Sequence, residues 1–407
     1  MGRGLNTMQR ADDASGHQDC LGFLALAGET PWRLRMAEIA RGAVPNSWSG
    51  RARQQRHALE LILSKLAQPE NGVTPNRAER RIIALARDAV ALADTLPDPP
   101  RERLRQRLLE GLVGEATLIP LFHMLREAAR QRARGFTVHF TGLTDDTPHD
   151  LVLEYGEARA ELVCETVSAE EGRHLNRGDW FTLVDSVNPD LQNWLAAHPG
   201  RYLLKMTLPD GIQNPAELAT LQQRVSTMLA DQKRQDTNGA AVLKLDPLML
   251  AGVQAAGAGF SAQLRNQFGP DAHLAVTSDA TGSNVFVMAA RAGRENAITA
   301  AITRRLASCA ATRLSGTCAG IISVFLEDVD RSEWRNLRDT LELEGGVRRF
   351  YTTPDAARIT AASCVTRMEM FDCAPPDAAE QGELRFRNQS HAQAQRPELQ
   401  PAIVSLT

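Results

Sequence analysis

Between Gly135 and Phe140 the apolar pattern of this chain changes period, and that change restricts the fold more than any other feature. Upstream, apolar residues recur at helical spacing. In FTVHF, Phe136, Val138 and Phe140 alternate with Thr137 and His139, as in a half-buried strand. The next patterned segment, HDLVLEYGEARAELVCETVS from His149, reads as two strands joined at Gly156–Glu157, where glycine supplies the positive φ of a tight turn. Pairing about that turn sets Glu154 opposite Arg159, Val152 opposite Glu161 and Asp150 opposite Val163. Alternation then gathers Asp150, Val152 and Glu154 with Arg159, Glu161, Val163 and Glu165 on one face. Leu151, Leu153, Tyr155, Leu162 and Cys164 go to the other, the core side. An acidic strand face either meets water or lets its carboxylates share a cation.

The flanking patterns fix the class. Residues 31–113 read as helices: one from Thr30 as N-cap and Pro31 to Gly42, one over about 50–67, one started by Thr74 and Pro75, and one after Pro100. EATLIPLFHMLREAARQRARG is a further amphipathic helix. After the hairpin, helical and strand patterns alternate. Strands are expected in RYLLKMTL, AAVLKL, HLAVTSD, NVFVMAAR, AGIISVFLED, VRRFYTT and ITAASCVTRMEMF. The unbroken apolar run of AGIISVFLED is that of a central strand buried on both faces. Tight hairpins together with helical crossovers predict an α/β (mixed α+β) fold, a mixed sheet flanked by helices behind a helical N-terminal region. The expected boundaries are a disordered lead-in at 1–30, a helical basic region at 31–113, the α/β core at 114–372 and a polar tail at 373–407.

Composition narrows the setting. No run of eighteen apolar residues exists to span a membrane, and the first twenty residues lack the apolar core of a secretory signal, so a cytoplasmic location without a membrane partner is expected. The six cysteines form no C-x-x-C and no zinc-ligand spacing, as free thiols in a reducing compartment would not. The net charge of −3 hides an asymmetry, with 19 Lys and Arg against 11 Asp and Glu between residues 31 and 135. Such a stretch suits a polyanion, or is an arginine-rich helical surface. Arg126, Arg130 and Arg134 recur at i, i+4, i+8 and would line one side of a helix with cations for DNA phosphates, or make ordinary surface pairs. RERLRQRLLE alternates by two and spreads its arginines around the helix as soluble surface. The chain has four lysines, Lys65, Lys205, Lys233 and Lys244.

A helix with an early acid (Glu115), a strand, an Asp-bearing strand hairpinned to one ending CETVS, and then a helix resembles the core of the PD-(D/E)xK, or restriction-endonuclease-like, nuclease superfamily. The resemblance covers about residues 114–210 and extends to 372 with an elaborated sheet. It implies a DNA partner and phosphodiester hydrolysis with Mg2+, the Asp and a second acid holding the metal while a lysine activates or orients water. Carried over, Asp150 in PHD stands at the first acid and Glu115 at the helix acid. The lysine is missing. Against a family pattern VECKTVS, LVCETVS puts Val163 at the acid position and Glu165 at the lysine position, and sliding by two makes Glu161 the acid and Val163 the lysine. Arg159 on the same face, with Arg173 or Arg177 from the next loop, are the cations left to position a nucleophile, and arginine cannot act as a base.

Three functions stay open. The first is a DNA-binding, metal-dependent nuclease with Asp150, Glu161 and Glu165 as metal ligands and Glu115 assisting. The second is a catalytically inactive pseudo-nuclease serving as a nucleic-acid-binding or assembly module. The third is a protein-interaction module whose acidic face meets a basic partner.

Overall fold

A computed structural model describes residues 16–68, 74–212, 214–248, 258–269, 271–279, 281–370 and 383–404. The protein is mixed α+β, with two sheets flanked by helices. In chain order the strands are β1 (Thr137–His139), β2 (Leu151–Tyr155), β3 (Ala158–Ser168), β4 (Arg201–Leu208), β5 (Gln235–Thr237), β6 (Val242–Pro247), β7 (His273–Ser278), β8 (Val285–Ala292), β9 (Ala319–Glu327), β10 (Ile359–Thr366) and β11 (Leu384–Arg387). They divide between two compact units, Met1–Gly42 with Gln54–Ala169 and Thr299–Thr407, and Ala43–Arg53 with Glu170–Ile298. The single elaborated sheet expected over 114–372 is therefore two sheets, because the chain leaves the first unit after β3 and re-enters it at the Ile298–Arg313 helix.

The first unit carries a six-stranded sheet in the order β1-β2-β3-β9-β10-β11. β1, β2 and β3 form an antiparallel meander, β3, β9 and β10 run parallel, and β11 closes the edge antiparallel. The hairpin register is the expected one: Glu154 pairs with Arg159 and Val152 with Glu161, around Gly156 at φ 58°. β9 lies between two parallel neighbours and is buried along its length up to Glu327, as its continuous apolar run requires. Gly320 permits that packing, since a Cβ there would lie 2.3 Å from the Arg358 carbonyl oxygen.

The N-terminal helices are not a separate region. Phe23, Leu63, Ile82, Leu104 and Phe122 share one core with Leu151, Leu162 and Ile321 of the sheet. Residues 16–27 are helical and fully bury Cys20, Phe23 and Ala27, which corrects the expected lead-in over that stretch; residues 1–15 lie outside the described residues. The expected polar tail is corrected too. β11 and the Gln400–Ile403 turn bury Phe386, Leu399 and Ile403, while 371–382 lie outside the described residues. VRRFYTT is not a strand, for Val347–Phe350 belong to the Glu342–Phe350 helix, entered through Leu341 at φ 58°. Pro120 opens the Ile119–Ala133 helix rather than kinking it.

The second unit is a five-stranded sheet, β5-β6-β4-β8-β7. The Arg177–Ala197 and Pro215–Ala230 helices cover one face, packing Trp180, Val184 and Val225 on Leu204, Met206 and Phe286. On the other face Phe260 and Leu264 of the Ala258–Phe268 helix sit over Leu203, Val285 and Val287. Among the described residues no helix is long and apolar enough to cross a membrane.

Candidate functional site

Parallel strands leave room for ligands beyond their carboxyl ends. At that end of β3 and β9 the first unit has a cleft of about 430 Å³, lined among others by Arg56, Arg107, Asp150, Glu165, Arg313 and Glu327. Asp150 lies one residue before β2 begins, so strand alternation does not bind its side chain. The carboxylate turns towards Cys164 and is buried, at 3% exposure. Its Oδ1 accepts from Arg107 Nη1 at 2.8 Å, and its Oδ2 accepts from Arg313 Nη2 at 2.8 Å and from the Cys164 amide at 2.8 Å. Both oxygens are thus held by two guanidinium groups and a backbone N–H.

Arg313 is the last residue of its helix, and its remaining donors fix the cleft wall. Nε donates to the Pro148 carbonyl at 2.9 Å, and Nη1 lies 3.3 Å from Glu165 Oε2. Burial alone would lower its pKa; Asp150 and Glu165 reverse that and hold it above the ordinary arginine value. Glu165 also accepts from the Cys309 thiol at 3.2 Å, and burial followed by that carboxylate pushes Cys309 up to about 12. Cys164 is likewise raised well above the ordinary thiol value, by burial first and Asp150 second, so neither is a ready thiolate nucleophile. Gly142 permits the Arg107–Asp150 approach, because a Cβ there would lie 3.1 Å from both Arg107 Nη2 and Asp150 Cα.

The opposite wall is built from Arg56 and the end of β9. Arg56 donates through Nη2 to the Glu115 carbonyl at 3.0 Å and pairs through Nη1 with Asp328 Oδ2 at 3.1 Å. Arg35, buried at 1%, donates to the neighbouring carbonyls of Gly114, at 2.7 Å, and of Ala116. The loop carrying Glu115 and Thr117 is thereby gripped by its backbone. Thr117 Oγ1 donates to Glu327 Oε1 at 3.0 Å, and burial, against the pull of Arg56, raises the Glu327 pKa.

Of the residues expected from sequence, Asp150 and Glu165 meet through Arg313, and Glu115 reaches the rim with its side chain 70% exposed on a loop rather than on the helix. Glu161 stands apart. It accepts from the Ser315 amide at 2.8 Å and the Ser315 hydroxyl at 2.5 Å, with His149 Nδ1 at 3.8 Å. His149, which strict alternation would turn away from Glu161, reaches the Glu161 side because it too precedes the regular strand. Arg159 is exposed beside Glu154 on β3 and does not line the cleft. Arg173 and Arg177 belong to the second unit, where buried Arg173 pairs with Glu170.

The arginine ridge is turned inward. Arg126 is 2% exposed and pairs with Glu127 at 2.5 Å, while Arg130 and Arg134 meet Glu383 at 2.9 and 2.5 Å, and Arg385 joins the same carboxylate at 2.8 Å. Spacing marked a shared face correctly, but that face meets the β11 edge instead of solvent.

The donor set does not fit Mg2+ as it stands. A hard cation needs several free oxygens, and Asp150 offers none that is not already bonded to a guanidinium or an amide. Among the described residues no three His, Cys, Asp or Glu side chains converge as a metal would require. The cationic side chains that take that place, Arg107 and Arg313, carried no sequence signal as site residues, Arg107 least of all from within RERLRQRLLE. Comparison of the chain with protein-family models, with curated proteins and with solved structures gives no match.

Proposed function

We propose that the first unit is a divergent PD-(D/E)xK-like module that binds DNA without cutting it, a pseudo-nuclease serving as a nucleic-acid-binding or assembly component. The observation that carries this is the closure of Asp150 between Arg107 and Arg313. Two fixed guanidinium groups neutralise the carboxylate where metal chemistry would need it open, and neither can generate a nucleophile by taking a proton. The order of elements supports the nuclease-like part: a helix, a three-stranded antiparallel meander bearing Asp150, then a helix leading to β9 parallel to β3. The excess of basic residues between 31 and 135 supports an anionic partner, although the Arg126–Arg130–Arg134 ridge takes no part in it.

The test is incubation of supercoiled plasmid with purified protein in Mg2+ and separately in Mn2+, with a salt-dependent gel-shift on the same DNA. Retardation that weakens with salt, without nicking under either metal, is the expected result. Nicking that Asp150→Ala abolishes would establish a working nuclease instead. Absence of any retardation would leave a protein-interaction module.

A further inference from the structure

Two of the four lysines in the chain stand directly opposite each other, Lys205 on β4 and Lys244 on β6. Opposed Cβ atoms in an antiparallel pair lie only about 5 Å apart, and like charges in that position repel. Arg291 on β8 pairs with Thr207, two residues beyond Lys205 on β4, so it falls on the same face and diagonal to Lys205. All three side chains are exposed. Asp246 on β6 answers one of them, pairing with Lys205 at 3.1 Å. Beyond their backbone pairing in the sheet, the Lys244 and Arg291 side chains form no hydrogen bond or ion pair among the described residues. The face therefore carries three cations against one carboxylate, flanked by the uncharged Gln235 and Thr237 of β5.

The position is as telling as the charge. The three cations run obliquely across β6, β4 and β8, towards the carboxyl ends of the two parallel strands β4 and β8. The Ala258–Phe268 helix packs over Leu203, Val285 and Val287, nearer the amino ends of those strands. Phe260 and the half-buried Phe268, both on that helix, pack into its apolar contact with the sheet, and Tyr202 and Phe286 face the helical core on the other side, so among the described residues of this unit no fully exposed aromatic side chain stands on the face to stack unpaired bases. Cations without stacking platforms suit a phosphodiester backbone whose bases are already paired.

We propose that this exposed sheet face of the second unit, Lys205, Lys244 and Arg291, is a binding surface for the phosphate backbone of duplex DNA. It rests on the DNA-binding reading above and adds to it a contact surface outside the first unit, whose arginine ridge is paired with Glu383 in the core. Contact is through charge alone and is independent of sequence.

The experiment compares full-length protein with the triple variant Lys205→Ala/Lys244→Ala/Arg291→Ala in gel-shift and fluorescence-anisotropy titrations on a fixed DNA duplex across a salt series. Because all three side chains are exposed, circular dichroism is expected to overlay for the two proteins. The expected result is at least tenfold weaker binding by the variant at equal salt. The slope of log Kobs against log salt should become shallower by about 0.9 for each phosphate contact removed. A second variant, Lys205→Arg/Lys244→Arg, should bind as the parent does. Equal binding by parent and triple variant overturns this surface while leaving DNA binding intact. No binding by the parent overturns the surface and the DNA-binding reading together. Displacement of DNA by polyglutamate at matched charge concentration would assign the face to an acidic protein instead.

Discussion

Arg313 Nη2 lies 2.8 Å from Asp150 Oδ2 across 163 positions of sequence, and the second unit occupies most of the chain between them. This one contact ties the end of the returning helix to the start of β2. It also sets the chemical character of the cleft, because a carboxylate bonded on both oxygens is a structural anion.

Removing the two guanidinium groups exposes that role. Arg107→Met with Arg313→Met leaves Asp150 buried and uncompensated, and should cost about 3–5 kcal/mol in urea unfolding. Adding Asp150→Asn should recover at least half of the loss, because the buried charge goes with it. Failure of the third substitution to recover stability would mean that the arginines act by packing alone.

Glu383 is 1% exposed and is shared by Arg130, Arg134 and Arg385. Burial lowers Arg130, and Arg385 to about 10. Glu383→Ala should therefore destabilise the protein by about 3–5 kcal/mol, read as a lower denaturant midpoint, whereas Glu154→Ala on the half-exposed hairpin should change it by less than about 0.5 kcal/mol.

His273 gives the second unit an acid limit. Burial, then the charges of Arg173 and Arg177, lower its pKa to about 3, and its Nε2 lies 2.9 Å from the Leu175 carbonyl oxygen. A histidine depressed in the folded state contributes stability above its ordinary value near 6.5 and loses it as pH falls below that value, since the unfolded chain takes up the proton first. Thermal unfolding should show stability falling by about 1.4 kcal/mol per pH unit through the range 6 to 4 from this group. His273→Gln should remove that component of the slope.

Glu327 acts in the opposite sense. Burial raises its pKa, so the folded state favours the protonated acid and this contribution is lost as pH rises from the ordinary carboxylate value through the raised one. As pH rises from 4 towards 7 the denaturant midpoint of Glu327→Gln should gain on the parent and level off once pH passes the raised value. A constant difference across that range would contradict the assignment.

What was legible in sequence was local. The register of β2 and β3 followed from one glycine turn and alternation, because every pairing lies within a few residues of Gly156. The central position of β9 followed from its apolar run. Alternation failed one residue outside the strand, where Asp150 and His149 were free to turn to opposite sides. The helical spacing of Arg126, Arg130 and Arg134 said that they share a face; it carried no information that Glu383, 249 positions beyond Arg134, would meet them. Arg107 and Arg313 were invisible for the same reason, since nothing near either marks it as a partner of Asp150. The division into two units was hidden because strands of both sheets alternate with helices in the same way.

The most direct test of a closed, non-hydrolytic site is titration of the full-length protein with Mn2+, followed by electron paramagnetic resonance of the free ion. If Arg107 and Arg313 hold Asp150 as described, Asp150→Ala leaves the binding isotherm unchanged, and Arg107→Met/Arg313→Met is the form in which Mn2+ uptake increases. A stoichiometric Mn2+ site in the parent protein that Asp150→Ala abolishes would contradict this and restore the metal-dependent nuclease.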